Sequence, residues 1–213
     1  MTRREFVKRA GLWVPVVGAL TLARPAGAVV SYFGQESIAD GSDASIDGIS
    51  VYNSVAATGV TLACPGSGSQ DVASLGAYVR SWTGGGSLRC AIYTAAGALV
   101  MQGNAKIDVA EYGEYGWQEH TSFVDVNGDA IASPQLTGGT DYLLALSTGG
   151  SMYVYSISQG ATNGQIKAVN YTVDGFPAAL GTGWSGFSTS YSIRCGVEPA
   201  AAAPAVRRRR FIL

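Results

Sequence analysis

Charge is what this chain has least of. Of its 213 residues only 14% are charged, 14 basic and 15 acidic, where an average soluble domain carries about 25%. A coiled coil, which needs Glu, Lys and Leu at heptad spacing, is therefore excluded. A disordered chain is excluded too, since 47% of the residues are hydrophobic and the net charge is only −1. Histidine occurs once, as His120, which rules out a zinc site built on several histidines and any HExxH pair. No run of about 18 consecutive apolar residues occurs, so an ordinary transmembrane helix is not expected. What the chain does have is glycine, 29 residues of it, and eleven tyrosines. The length suits one domain of roughly 150–200 residues with appendages.

Both ends read as something other than fold. Thr2-Arg3-Arg4-Glu5-Phe6-Val7-Lys8 resembles the twin-arginine export motif, an Arg pair followed by a spacer, Phe, an aliphatic residue and Lys. A weakly apolar stretch from Leu12 to Ala23 follows, then Arg24-Pro25-Ala26-Gly27-Ala28, whose small residues at 26 and 28 fit an A-x-A cleavage site. Residues 1–28 are thus expected to be a twin-arginine signal peptide, and the exported chain to start near Val29. Residues 198–213 run Glu-Pro, alanines and prolines, four arginines (Arg207 to Arg210) and Phe-Ile-Leu. They read as a linker and a solvated Arg-rich tail. Their order also resembles the C-terminal sorting tags of some Gram-negative surface proteins.

Removing the leader changes the charge balance. Residues 1–28 hold five of the 14 bases and one of the 15 acids, leaving nine bases and fourteen acids, a net of −5. Four of those nine bases are in the tail, so residues 29–206 carry five bases and stand at −9. A body this acidic will not neutralise phosphates, and nucleic acid is not an expected partner.

Between residues 29 and 197 the hydrophobic period is two. Leu75, Ala77 and Val79 alternate with Gly76, Tyr78 and Arg80; Leu88, Cys90 and Ile92 alternate with Arg89 and Ala91. Tyr142 to Leu146 is a nearly continuous apolar run, Met152 to Ile157 alternates again, and Tyr191 to Val197 closes the domain. Ala95-Ala96-Gly97, Gly84-Gly85-Gly86, Thr137-Gly138-Gly139-Thr140, Thr148-Gly149-Gly150 and Asn163-Gly164 punctuate these runs as turns. Short strands with such punctuation predict an all-β fold, an antiparallel sandwich or barrel. No capped helical pattern of about ten residues is present.

The order of these pieces resembles the jelly-roll β-sandwich domains of bacterial secreted and surface proteins and of phage tails. The resemblance rests on Thr61 to Gly66, Val72 to Arg80, Ser87 to Tyr93 with its Gly97 turn, Trp117-Gln118, Leu136 to Ala145, and Phe176-Pro177-Ala178. It implies a jelly-roll sandwich over 29–197, similar in architecture to carbohydrate-binding modules, and transfers no ligand residue.

Catalytic constellations are poorly represented. His120 lies in Gln118-Glu119-His120-Thr121-Ser122, read as a strand start with an exposed or hydrogen-bonded imidazole; no G-x-S-x-G elbow accompanies it. Asp108, Glu111, Glu114 and Glu119 surround Tyr112, Tyr115 and Trp117. Two carboxylates beside an aromatic platform are the equipment of a glycosidase, yet these acids are expected in a solvated loop rather than mid-strand. Asp125-Val126-Asn127-Gly128-Asp129 places Asp125, Asn127 and Asp129 at alternate positions, as the opening of a calcium loop does; Asn-Gly is equally a favoured hairpin turn. A second acidic turn is Asp40 to Asp43 with Asp47-Gly48. A structural Ca²⁺ is the one cofactor these turns suggest. Cys64, Cys90 and Cys195 are expected either as buried thiols filling core space or as one bridge with a thiol left over.

Aromatic side chains are the best candidates for contact chemistry. Trp82 precedes Gly84-Gly85-Gly86, Trp117 follows Gly116 and Trp184 follows Gly183; all three are expected in glycine-rich loops, as plugs over the sandwich ends or as stacking faces for sugar rings. Tyr153 and Tyr155 share a face opposite Met152 and Val154; with Met and Val in the core, the tyrosines form an outward pair. These features lead to three expectations. The first is an exported non-catalytic module that engages glycan or another extracellular polymer; the second is a structural or adhesive envelope subunit working by contact with another envelope protein. A small glycoside hydrolase is the third.

Overall fold

The computed structural model describes residues 29–34, 54–58, 61–154, 156–158, 164–168, 175–181, 185–187 and 189–200. Expectations for residues 1–28, Asp40 to Gly48, Tyr155, Asn163, Trp184 and residues 201–213 lie outside the described residues. Within them every regular element is a strand, and no helix is long and apolar enough to cross a membrane.

The chain begins with β1 (Ser31–Gly34), β2 (Ser54–Thr58), β3 (Leu62–Ala63) and the long β4 (Gly68–Thr94). Next come β5 (Leu99–Gly103), β6 (Ile107–Val109), β7 (Gly116–His120), β8 (Phe123–Val124) and β9 (Gln135–Gly138). The series ends with β10 (Asp141–Val154), β11 (Ser156–Ser158), β12 (Gly164–Ala168), β13 (Ser185–Phe187), β14 (Thr189–Tyr191) and β15 (Ile193–Pro199). The main sheet runs β1-β15-β4-β10-β2-β12-β13, and β11 pairs with β14 in a second sheet. All the strand pairings are antiparallel. The protein is an all-β sandwich.

β4 organises it. Its first half lies between β15 on one edge and β7 and β9 on the other. Its second half lies between β10 and the pair β5 and β6. Leu75, Ala77 and Val79 from the first half join Leu88, Cys90 and Ile92 from the second in one core, together with Leu144, Leu146, Met152, Val154, Ile193, Cys195 and Val197. Cutting one such buried leucine to alanine costs about 2–5 kcal/mol.

Along β4 the inward residues are odd-numbered from Leu75 to Val79 and even-numbered from Leu88 to Ile92, while the core residues of β10, from Tyr142 to Val154, are even-numbered throughout. Ser81 pairs with Met152 and Gly86 with Gly150, so Trp82 to Gly85 stand opposite the single residue Ser151. Three surplus residues shift the alternation by an odd number, and both halves of β4 therefore face the same core. This corrects two predicted turns: Gly84-Gly85-Gly86 and Thr148-Gly149-Gly150 do not separate strands but lie opposite each other within β4 and β10. Glycine permits it because Gly84, Gly85 and Gly150 have φ of +83°, +73° and +74°. A Cβ on Gly150 would also stand 2.9 Å from the Gly85 carbonyl oxygen. The Gly97 turn lies where expected, between β4 and β5, and Gly139-Thr140, following Gly138 at the end of β9, turn the chain into β10.

The opposite face of the β4–β10 pair is covered locally. Phe176 packs on Ala91, Tyr93 and Ala145, its ring edge-on to Tyr93 at 6.3 Å. The Tyr93 hydroxyl donates to the Pro177 carbonyl at 2.9 Å, and the Phe176 amide donates to Gln102 Oε1 at 3.0 Å.

Candidate functional site

One face of the sandwich collects the aromatic residues that strand alternation turns away from the core. Phe33, Val79, Met152, Val154, Ile193 and Cys195 are buried, so their neighbours Tyr32, Tyr78, Arg80, Tyr153 and Arg194 point the other way. Trp117 and Glu119 lie on β7, in register with Tyr78 and Gly76. Tyr115 immediately precedes that strand.

These side chains form a continuous row. The Arg194 guanidinium lies 4.4 Å from the Tyr32 ring centroid and 3.9 Å from that of Trp117. Trp117 meets Tyr78 at 5.6 Å, tilted by 56°. Tyr78 stacks on Tyr115 at 5.7 Å, with 13° between the planes. The Arg80 guanidinium then lies 4.8 Å from Tyr115 and 5.6 Å from Tyr153. The guanidinium–ring contacts at both ends of the three-ring stretch are favourable because an aromatic face carries negative potential. The row crosses β1, β15, β7, β4 and β10.

Glycines beneath the row make the close contacts possible. Gly76 is the register partner of both Arg194 and Glu119. A Cβ there would lie 2.6 Å from Glu119 Cγ, so the missing side chain lets the arginine reach across β4. Arg194 Nε donates to Glu119 Oε1 at 2.9 Å, and Nη2 contacts the same oxygen at 2.8 Å. In the same way Tyr32 pairs with Gly196, where a Cβ would lie 2.9 Å from the tyrosine Cε1. Tyr32 remains 37% exposed; Arg194 and Glu119 keep 19% and 25% of their side-chain surface.

The predicted residues fare unevenly. Trp117 is in the row but in strand β7, not a loop; Trp82 lies within β4, not a loop. Trp117 belongs to a strand because its backbone pairs with Tyr78 across the sheet, which the adjacent Gly116 does not prevent, whereas Trp82 lies in the stretch of β4 that bulges opposite Ser151. Tyr153 faces outward while Met152 and Val154 are buried, as the alternation requires. Glu119 is mid-strand rather than in a loop and is matched to Arg194 rather than to a second carboxylate. Asp108 is in β6, and Glu111 and Glu114 lie in the β6–β7 connection. That connection also exposes Tyr112, which has a φ of +53°. Sequence reasoning passed over Tyr32, Tyr78, Arg80 and Arg194 as contact residues, and named Tyr115 only as part of the platform beside the acidic cluster. Their signal was present: each of Tyr78, Arg80 and Arg194 occupies the outward phase of a run whose inward phase was read as core.

His120 is the last residue of β7, not the start of a strand, and it is buried. Its Nε2 accepts the Cys90 amide at 3.1 Å. Burial, aided by the Arg89 charge, lowers its pKa to about 4. The three cysteines are buried free thiols. Burial pushes the Cys90 and Cys195 thiols well above their ordinary value, away from nucleophilic use.

Asp125, Asn127 and Asp129 do come together, as a hydrogen-bonded hairpin turn. Asp125 Oδ1 accepts the amides of Asn127 and Asp129 at 2.8 and 2.9 Å, and Asn127 Nδ2 donates to Oδ2 at 3.3 Å. Hydrogen bonds from the Asp129 amide above all, then from Asn127 and Gly128, hold the Asp125 carboxyl below its usual range. Among the described residues, no three His, Cys, Asp or Glu side chains are grouped to hold a metal ion. No family model matches the chain, and no curated protein matches it.

Proposed function

We propose that this chain is an exported, non-catalytic β-sandwich binding module of jelly-roll connectivity. It engages extracellular glycan, or another surface polymer, through the aromatic and arginine row. The observation that carries this reading is the unbroken sequence of contacts from Tyr32 through Arg194, Trp117, Tyr78, Tyr115 and Arg80 to Tyr153. Such a row combines apolar ring surface with fixed hydrogen-bonding groups, the mixture that sugars, with their C–H patches and hydroxyls, require. Two groups an enzyme might have used are otherwise engaged: Glu119 by Arg194, and His120 Nε2 by a buried amide. Residues 1–28 act in this reading as the twin-arginine leader, and no resident cofactor or nucleic-acid partner is involved.

Retention on insoluble polysaccharides, followed by a glycan array, tests the proposal. Trp117→Ala and Tyr32→Ala should lose retention while the melting transition persists. Equal retention by all three proteins places binding elsewhere. Export is checked by N-terminal sequencing of secreted material, expected to begin near Val29, and by its loss in the Arg3→Lys, Arg4→Lys double variant.

A specific observation also favours the adhesive-subunit reading. Tyr, Trp and Arg are the residues that dominate protein–protein hot spots, and the row is made of them. Capture of one envelope protein, with no sugar dependence and with loss on Trp117→Ala, is the result that reading requires.

A further inference from the structure

We propose that Arg194 and Glu119, held between Tyr32 and Trp117, form a subsite for neighbouring hydroxyls of a neutral sugar residue. The inference rests on the binding-module reading above and names the ligand class for one place on the row.

Both contacts from the arginine, through Nε and Nη2, go to a single carboxylate oxygen, Glu119 Oε1. Among the described residues, no other hydrogen bond is made by Arg194 Nη1 or by Glu119 Oε2. The pair therefore offers unused donors beside an unused acceptor, in a geometry fixed by the ion pair and by stacking on two rings. A hydroxyl can both accept and donate. One sugar hydroxyl accepting from Nη1 and its neighbour donating to Oε2 would satisfy both groups at once. These bonds have a charged partner, which makes them stronger than neutral ones. The exposed part of the Tyr32 ring supplies an apolar wall for the sugar C–H groups.

Charge decides against an anionic ligand. The guanidinium is already matched by Glu119, so a ligand carboxylate meets no net positive charge there and must approach Oε2. Residues 29–206 carry five bases against fourteen acids, and this field repels a polyanion at longer range.

The test uses the exported chain, with affinity electrophoresis in soluble neutral glucan, mannan and galactan beside polygalacturonate. Glu119→Gln and Arg194→Lys are compared with the wild type, and each is checked for an intact melting transition. Retention by a neutral polysaccharide that weakens about tenfold or more in both variants supports the subsite, the loss expected when a charged hydrogen-bonding group is removed. Should Arg194→Lys fail to fold, Glu119→Gln decides alone. Undiminished retention by folded Glu119→Gln overturns the subsite and leaves the binding module standing. Retention in polygalacturonate only, strengthened by Glu119→Gln, overturns the neutral-sugar assignment. Failure of the wild type to be retained in any of the polysaccharides overturns the subsite and the glycan reading together.

Discussion

The imidazole of His120 takes the place of a strand for the backbone of Cys90. On that edge of β4, pairing with β5 stops at Ala91 and pairing with β6 begins at Leu88. His120 Nε2 fills the gap by accepting the Cys90 amide at 3.1 Å. The ring lies so close over Gly103 that a Cβ there would overlap it, and Arg89 binds the Gly103 carbonyl alongside at 2.7 Å.

Only the neutral imidazole can accept that bond, and pH dependence follows. An unfolded histidine titrates near 6.5 and this one near 4. Between these values the unfolded chain binds more protons, so stability rises with pH. The contribution is complete above about pH 6.5 and is lost as pH falls through about 4, on the order of 3 kcal/mol in all. Urea unfolding from pH 4 to 7 should show this slope in the wild type and not in His120→Leu. The leucine variant should also be about 1–3 kcal/mol less stable at pH 7, with the Cys90 amide unsatisfied. Parallel pH curves for the two proteins would refute the assignment.

Gly150 and Gly139 share a positive φ but not surroundings. Both need a left-handed backbone, at +74° and +76°, yet only Gly150 has an atom where a Cβ would go, the Gly85 oxygen at 2.9 Å. Gly139→Ala should cost about 1–2 kcal/mol for the conformation alone. Gly150→Ala should cost clearly more, because β4 must also move. Equal denaturation midpoints would show that the bulge adapts freely.

Arg194 and Trp117 should be energetically coupled. A double-mutant cycle of Arg194→Ala and Trp117→Ala, followed by urea unfolding, is expected to give about 0.5–1 kcal/mol of interaction. Arg194→Lys should recover little of it, since the stacked planar guanidinium and its side-on contact with Glu119 are lost. A coupling of zero would mean the stack contributes nothing to stability.

The Asp125 turn is held by its own amides, so its contribution should not depend on calcium. Asp125→Ala should lower the melting temperature by the same amount in EDTA as in millimolar Ca²⁺. A drop confined to the calcium sample would instead restore the metal-loop reading of Asp125, Asn127 and Asp129.

Strand alternation was legible because it is local. Leu75-Ala77-Val79 and Leu88-Cys90-Ile92 reveal their buried phase through neighbours two residues away, and with it the all-β class. The run from Leu75 to Arg80 and the closing run from Tyr191 to Val197 also carried the outward phase, Tyr78, Arg80 and Arg194, which needed only to be read as a face. Other features were not local. Gly84-Gly85-Gly86 has the composition of a turn, and only its pairing partner on β10 makes it a bulge. Trp117 sits in a short strand with no apolar alternation, held by its pairing with Tyr78.

By itself, then, the sequence determined that this chain builds strands, which residues they bury, and that its body is acidic and poor in charge. Tertiary structure alone decided that Arg194 would meet Glu119, 75 residues earlier in the chain, across a glycine that leaves room for it. The physical reason is register: which side chains become neighbours depends on how strands pair, and pairing is settled by the packed core as a whole rather than by any short stretch of residues.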